Sequence, residues 1–282
     1  MKILASKQYS TYEDYVTSGR FNDEQLLLIK RAFLAHYMTP RKIKFIANPE
    51  YTPSQMAQLL TACAAGRSLS ELALAADPRF SPSQMYVIFQ ALRSGISAEE
   101  VAKWADPDCP KSVMRCLSIA ADPNTSEDFR AMVDMVISMD VSDRARNNIL
   151  DAMLIDSSPV RELSLTTLQY LQGLIARGAS EDFIDGISWY AGFPEMLDIC
   201  ALYEKYPRLF VDMSADQVDS VVLGAGEPRC RKVVSSMVQG AYSSEQVAVL
   251  LQCLEDIGEE RMEPYEIGAI ANPEFTAEQM KS

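Results

Sequence analysis

The chain has 282 residues, of which 39 are acidic, 26 are basic and one is histidine, and its formal net charge is −13. Hydrophobic residues make up 48%, which is typical of a folded chain and not of a disordered one. A single histidine excludes sites that need two imidazoles. With no catalytic constellation in the sequence, we predict a protein that is not an enzyme and that needs no cofactor or metal.

Targeting signals and disulfides are not expected either. No apolar run reaches the ~18–20 residues that cross a bilayer, and residues 1–8 hold too few apolar side chains for a signal peptide. We therefore expect a cytoplasmic protein that does not contact membranes. Six cysteines without short repeated spacing are expected to be reduced thiols: Cys63, Cys109, Cys116, Cys200, Cys230 and Cys253.

The first predicted helices carry an excess of positive charge. Residues 1–49 hold eight basic and four acidic side chains, a net of +4, whereas the other 233 residues have a net of −17. A solvated cap at the end of a helical array explains this. The alternative is a docking site for an acidic surface or a nucleic acid backbone, formed by Lys30, Arg31, Arg41, Lys42 and Lys44. His36 lies between Arg31 and Arg41, near a predicted helix C-terminus, where an imidazole can interact favourably with the helix dipole.

A ten-residue motif then recurs along the chain. The segment 47–56 (ANPEYTPSQM) returns at 76–85 (ADPRFSPSQM), more weakly at 105–114, as a fragment at 121–123, and almost unchanged at 271–280. The first three copies are 29 residues apart, and 11 of 19 positions are identical between 38–56 and 262–280. The chain is therefore built from internal repeats.

Each motif combines a helix stop with a helix start. Proline disfavours helix in the preceding residue, so we expect helices to end at Ala47, Ala76 and Ala105, with Asn or Asp closing a turn. Thr or Ser followed three residues later by Gln is a capping box, flanked by a hydrophobic staple such as Tyr51 and Met56. Further capping boxes start shorter helices midway, after glycines that can adopt the left-handed conformation: Gly66, Gly95, Gly178 and Gly240.

Two helices per repeat define the predicted fold. We predict helices over 23–37, 40–47, 53–65, 68–76, 81–94, 97–105, 110–121, 126–139, 142–155, 158–177, 180–191, 194–206, 214–224, 228–239, 243–256 and 263–271. A hairpin with one apolar stripe must stack on its neighbours. The expected fold is all-α, a continuous right-handed α-solenoid with N-terminal repeats of which the first is basic (1–107), an irregular middle (108–212) and acidic C-terminal repeats (213–282).

The pattern of Asn/Asp-Pro, an aromatic residue, Ser/Thr and Gln-Met resembles a helical repeat found in arrays in bacterial proteins, many of them associated with mobile elements. The similarity is sharp over residues 40–115 and 262–282. It implies the helical architecture, and no biochemical activity comes with it.

The C-terminal repeats concentrate negative charge. A solvated helix junction explains this, and recognition of a basic partner is the alternative. The candidate contacts are Glu255, Asp256, Glu259, Glu260 and Glu263, with Glu266 nearby and Arg261 offsetting them. Trp104 and Trp189 are predicted to fill the core.

The leading functional hypothesis is an interaction module that binds a protein partner through its repeat surface. The alternative is an acidic mimic of nucleic acid that inhibits a nuclease or a host-defence complex, of the anti-restriction or anti-CRISPR kind. Direct binding of duplex nucleic acid is expected only through the basic first repeat. A homo-oligomer formed through a terminal repeat stays open.

Overall fold

The computed structural model describes residues 11–154 and 163–281. These residues form eighteen α-helices and one 3₁₀ turn, Pro207–Leu209, and contain no β-strand, which confirms the predicted all-α class. The chain divides into two compact units between Thr125 and Ser126. The borders at 107 and 212 do not coincide with this division, and the three predicted segments stay a prediction.

The first unit contains eight helices in its described residues. They are α1 (Tyr12–Thr17), α2 (Asp23–Leu34), α3 (Pro40–Ile46), α4 (Pro53–Ala64), α5 (Leu69–Ala73), α6 (Pro82–Arg93), α7 (Ala98–Ala102) and α8 (Lys111–Ala120). The longer helices pack side by side in the order α2, α4, α6, α8. Their inner faces bury residues that include Met56, Leu59, Met85 and Ile88. The shorter helices lie against these long ones, as two-helix repeats require.

The second unit contains ten helices in its described residues. They are α9 (Glu127–Ser138), α10 (Asp143–Leu154), α11 (Leu165–Ala176), α12 (Glu181–Ser188), α13 (Pro194–Lys205), α14 (Ala215–Gly226), α15 (Arg231–Gln239), α16 (Ser244–Gly258), α17 (Ile267–Ile270) and α18 (Ala277–Met280). Helices again pack on the next but one along the chain. One row is α10, α12, α14, α16 and α18, and α9 packs on α11 and α13 on α15.

Capping boxes set eight of the eighteen helix starts among the described residues. Both reciprocal hydrogen bonds are present, for example, at Asn22, Thr52, Ser68, Ser81, Ser214 and Ser243. At Ser97 the hydroxyl accepts from the Glu100 N–H, but Glu100 pairs with Lys103 and no capping box closes.

Three predictions fall partly or wholly on residues outside the described ranges. These are the N-terminal segment 1–8, the last residue of the helix over 142–155, and the first residues of the helix over 158–177.

The predicted stops form, but α5 ends at Ala73 and α7 at Ala102, three residues before the predicted Ala76 and Ala105, because a turn with hydrogen bonds between residues three apart precedes each Asx-Pro step. Two other predicted bounds are also wrong: α2 ends at Leu34 and not at residue 37, and α17 begins at Ile267 and not at residue 263.

Gly66, Gly95, Gly178 and Gly240 all have a positive φ, between 82° and 94°, because each ends a helix in the left-handed conformation. At every Asx-Pro stop the Asn or Asp side chain accepts a hydrogen bond from the backbone N–H two residues later. The acceptors are Asn48, Asp77, Asp106, Asp122 and Asn272, with N–O distances of 2.9–3.1 Å.

The glutamine of the capping box joins one repeat to the next. The Gln55 side-chain oxygen accepts from the Thr52 N–H, and its Nε2 donates to the carbonyls of Pro78 (2.8 Å) and Phe80 (2.6 Å) in the following turn. Gln25, Gln84 and Gln246 make the same pair of bonds to the next turn. All four side chains are buried. A buried amide therefore satisfies three main-chain groups and sets the spacing between repeats.

The second unit adds close helix contacts made by glycine. The Gly224 backbone in α14 lies against the Leu254 carbonyl in α16, and Gly258 in α16 lies against the Ser220 carbonyl in α14. Gly186 in α12 approaches Ala215 and Val218 in α14 in the same way. A Cβ at any of these positions would collide with its neighbour, so glycine is required for this packing.

Other sequence expectations have mixed outcomes. All six cysteines are free thiols, and no helix among the described residues is long and apolar enough to span a bilayer. Trp104 is buried, at 7% exposure, as predicted. The prediction for Trp189 is wrong. It is 53% exposed, because it follows the last residue of α12 and leaves the buried face of that helix.

Candidate interaction surface

The predicted basic residues lie on two helices that pack against each other. Lys30 and Arg31 are exposed on α2, Arg41 and Lys44 are exposed on α3, and Lys42 is half-buried. None of the five forms an ion pair with another described residue. His36 is exposed just beyond α2 and packs edge-on against Tyr37.

A groove of about 590 Å³ crosses the outer face of the neighbouring helices α4, α6 and α8. We call it the basic groove. Its floor and walls include Gln58, Tyr86, Gln90, Lys111, Arg115 and Ile119. Tyr86 is 52% exposed and Ile119 is 37% exposed, although both are large and largely apolar. Serine hydroxyls from Ser83, Ser94 and Ser118 complete the lining.

The three helices under the basic groove carry no acidic residue. In a chain with 39 acidic residues, α4 has no charged side chain, α6 has Arg93, and α8 has Lys111 and Arg115. Apart from Asp23 and Glu24 in the first turn of α2, the acidic side chains of this unit lie on the shorter helices and the turns, for example Glu71, Glu100 and Asp77. Charge is thus segregated between the long-helix face and the opposite parts of each repeat.

Residues at equivalent positions show how this face differs from the interior. Three residues after the N-cap, Gln25, Gln55 and Gln84 are identical and buried. The position five residues after the N-cap points outward and differs in chemistry between helices. It is apolar in α2, small in α4, aromatic in α6 and cationic in α8: Leu27, Ala57, Tyr86 and Arg115. The repeats share their framework and differ on this face.

The predicted acidic cluster is largely occupied by Arg261. This guanidinium contacts Asp256 at 2.6 Å, Glu255 at 3.6 Å, and Glu259. Glu255 is only 6% exposed and also accepts from Gln217 at 3.4 Å. Glu259, Glu260 and Glu263 are exposed, and Asp256 is half-buried. The cluster thus closes the turn after α16, and four of its five predicted members keep some accessible surface.

A second cleft, of about 420 Å³, lies in the second unit around the exposed Trp189. Tyr190, Leu223 and Arg231 also line it, and Arg231 pairs with Glu195 at 3.2 Å. Burial raises the pKa of Asp219, which is bonded to Tyr190, and that of Asp198 beside Glu195. This cleft mixes both charges.

Sequence reasoning did not identify the basic groove, and its two candidate surfaces, on α2 and α3 and in the turn after α16, stay predictions. The signal for the groove was available, because three successive long helices lack acidic residues in an acidic protein. It requires aligning the helices by their caps, which places Tyr86 and Arg115 at equivalent positions. In comparisons with family models, curated proteins and solved structures, no match to this chain was found.

Proposed function

We propose that the protein is a non-enzymatic interaction module, a right-handed α-solenoid of two-helix repeats that binds a protein partner through the outer face of its long helices. One observation carries the proposal: α2, α4 and α6 keep the same buried glutamine, whereas the outward positions of the long helices differ chemically.

The physical argument concerns what each set of residues does. The side chains of Gln25, Gln55 and Gln84 bond only to main-chain atoms, those of their own N-cap residue and of the next turn. They therefore fix the spacing whatever the outer side chains are. The outer side chains are therefore free to fit a ligand. Repeat proteins use extended surfaces of this kind for binding.

The acidic mimic of nucleic acid is the competing function. Its support is the net charge of −17 beyond residue 49 and the exposed carboxylates at Glu259, Glu260 and Glu263. Against it, Arg261 neutralises part of that cluster. The two functions use different surfaces, so one experiment separates them.

The experiment places a photo-crosslinking phenylalanine derivative at Tyr86 or at Tyr265. Both tyrosines are exposed, at 52% and 61%, so the replacement is matched in size and accessibility. Tyr86 reports on the basic groove, and Tyr265 lies between Glu263 and Glu266 in the acidic C-terminal region.

We expect irradiation in the native host to attach one protein through position 86 and not through position 265. Attachment of a nucleic-acid-binding protein through 265, lost as salt rises, would replace the proposal with charge mimicry. No attachment through either position would refute both functions.

A further inference from the structure

We propose that the basic groove binds an acidic segment of the protein partner in extended conformation. This inference rests on the proposed function and adds the chemistry of the ligand. The charge, shape and polar lining of the groove support it.

The cations of the groove have no partner within the described chain. Arg67, Arg79, Arg144, Arg146, Arg177, Arg231, Arg261 and Lys103 all pair with carboxylates. Lys111 and Arg115 form no such pair with a described residue, and both are exposed. In a protein of net charge −13, these two side chains are available to anions.

The shape of the groove fits an extended chain. Packed helices lie about 8–10 Å apart, so a ligand that crosses α4, α6 and α8 spans roughly 20 Å, or about six to eight extended residues at ~3.3 Å each. Gln58 and Gln90 present amides that can donate to and accept from a peptide backbone. Tyr86 and Ile119 offer apolar surface for one large side chain between the acidic ones.

The same features disfavour a nucleic acid strand. Binding of single strands depends on several aromatic platforms and a continuous cationic track, and Tyr86 is the one aromatic residue among those that line the groove. We therefore favour carboxylates over phosphates as the anions.

The test measures binding to the full chain by fluorescence anisotropy with three labelled probes. The first is a peptide of about eight residues that alternates Glu and Asp with small residues around a central Leu. The second has Gln and Asn in place of the acids, and the third is an oligothymidylate of equal charge. We expect the acidic peptide to bind on the order of tenfold more tightly than the neutral one, with affinity that falls as salt rises.

Two charge reversals locate the site. Arg115→Glu and Lys111→Glu should each weaken the binding of the acidic peptide by about tenfold or more. Lys44→Glu, the same charge change at an exposed residue on α3, is the matched control and should change binding by less than about twofold. Circular dichroism checks folding, and Arg115→Gln with Tyr86→Ala replaces any reversal that fails to fold.

Each result decides the inference. Equal affinity for acidic and neutral peptides, a loss through Lys44→Glu and not Arg115→Glu, or preference for the oligothymidylate would overturn it. If the acidic peptide does not bind while position 86 still crosslinks a protein, the proposed function stands and the proposed acidic ligand is wrong. Failure of both experiments removes the proposed function as well.

Discussion

At the residue scale, the choice between glutamine and glutamate separates two kinds of helix start. A capping box works with either residue, since both supply the oxygen that accepts from the N-cap N–H. The starts of the long helices α4 and α6 have Gln55 and Gln84, whereas the starts of the short helices α5 and α7 have Glu71 and Glu100. The Gln amide also donates to the next turn, which a carboxylate cannot do.

The first prediction removes this amide. Gln55→Ala loses the cap and leaves the Pro78 and Phe80 carbonyls without their donor, so the free energy of unfolding should fall by about 2–4 kcal/mol. Gln55→Glu keeps the cap but brings a carboxylate against two carbonyls, and it should also be destabilised. Denaturation by urea measures both. Gln58→Ala on the same helix is the control, and an equal loss there would show that Gln55 has no special role.

The second prediction concerns pH. Hydrogen bonds from the Ser68 backbone and from Arg67 lower the pKa of Glu71 from 4.5 to about 2. A carboxyl group whose pKa is lowered by folding stabilises the fold at pH values above its pKa in the unfolded chain. This stabilisation is lost as the pH falls from 4.5 toward 2. Glu71→Gln should therefore be less stable than the natural chain at neutral pH, and the difference should close near pH 2. A difference in stability that stays constant from neutral pH down to pH 2 would contradict this role of Glu71.

The second bond of Gln55 was not predictable from local sequence. The cap partner Thr52 is three residues away, but the carbonyls of Pro78 and Phe80 lie 23 and 25 residues further along. The strict recurrence of Gln at this position was the available signal. Its absence at Val113, in the weak third copy, also shows where the series of Gln bonds stops in the first unit.

At the element scale, local start and stop signals in the sequence predict where helices begin and end, but they do not predict the distance between packed helices. Caps, Asx-Pro stops and glycine ends are local, so sequence alone placed α4 and α6 closely. The contact between α14 and α16 depends on Gly224 and Gly258 facing carbonyls of the other helix. A glycine inside a predicted helix does not reveal which neighbour approaches it.

The third prediction tests this close contact. Gly224→Ala and Gly258→Ala force a methyl group against a backbone carbonyl that cannot move without shifting its helix, so each should destabilise by about 1–3 kcal/mol or more. Gly268→Ala is the control, because nothing lies within 4 Å of a Cβ there and alanine favours helix. Thermal unfolding measures all three. Equal effects would contradict the packing described for α14 and α16.

At the scale of the whole molecule, the all-α class follows from composition and repeats, but the two-unit division does not. The sequence repeats weaken over 108–212, while the compact units meet between Thr125 and Ser126. Similarly, the candidate surfaces on α2 and α3 and after α16 were chosen from clusters of like charge along the chain, and they stay predictions. The basic groove arises where acidic residues are absent from α4, α6 and α8, which becomes visible only once the helices are set side by side.

The fourth prediction uses the six thiols as reporters of this packing. Cys63, Cys116, Cys200, Cys230 and Cys253 are buried, and burial raises the pKa of Cys230 to about 11. A disulfide reagent should therefore modify at most one thiol in the native protein, the half-buried Cys109. The remaining five should react only on unfolding. In the Cys109→Ser variant, rapid modification of any remaining thiol would show that one unit opens locally.

The glutamine bonds have a consequence for how such a chain can change over time. Each amide reaches only the peptide oxygens that follow the next proline, so it is indifferent to the side chains of the hairpin it meets. Duplication or deletion of a complete 29-residue repeat at the DNA level would leave every glutamine amide with a hydrogen-bond acceptor. The array can thus lengthen or shorten by whole repeats, whereas the insertion or deletion of part of a repeat would leave a buried donor without an acceptor.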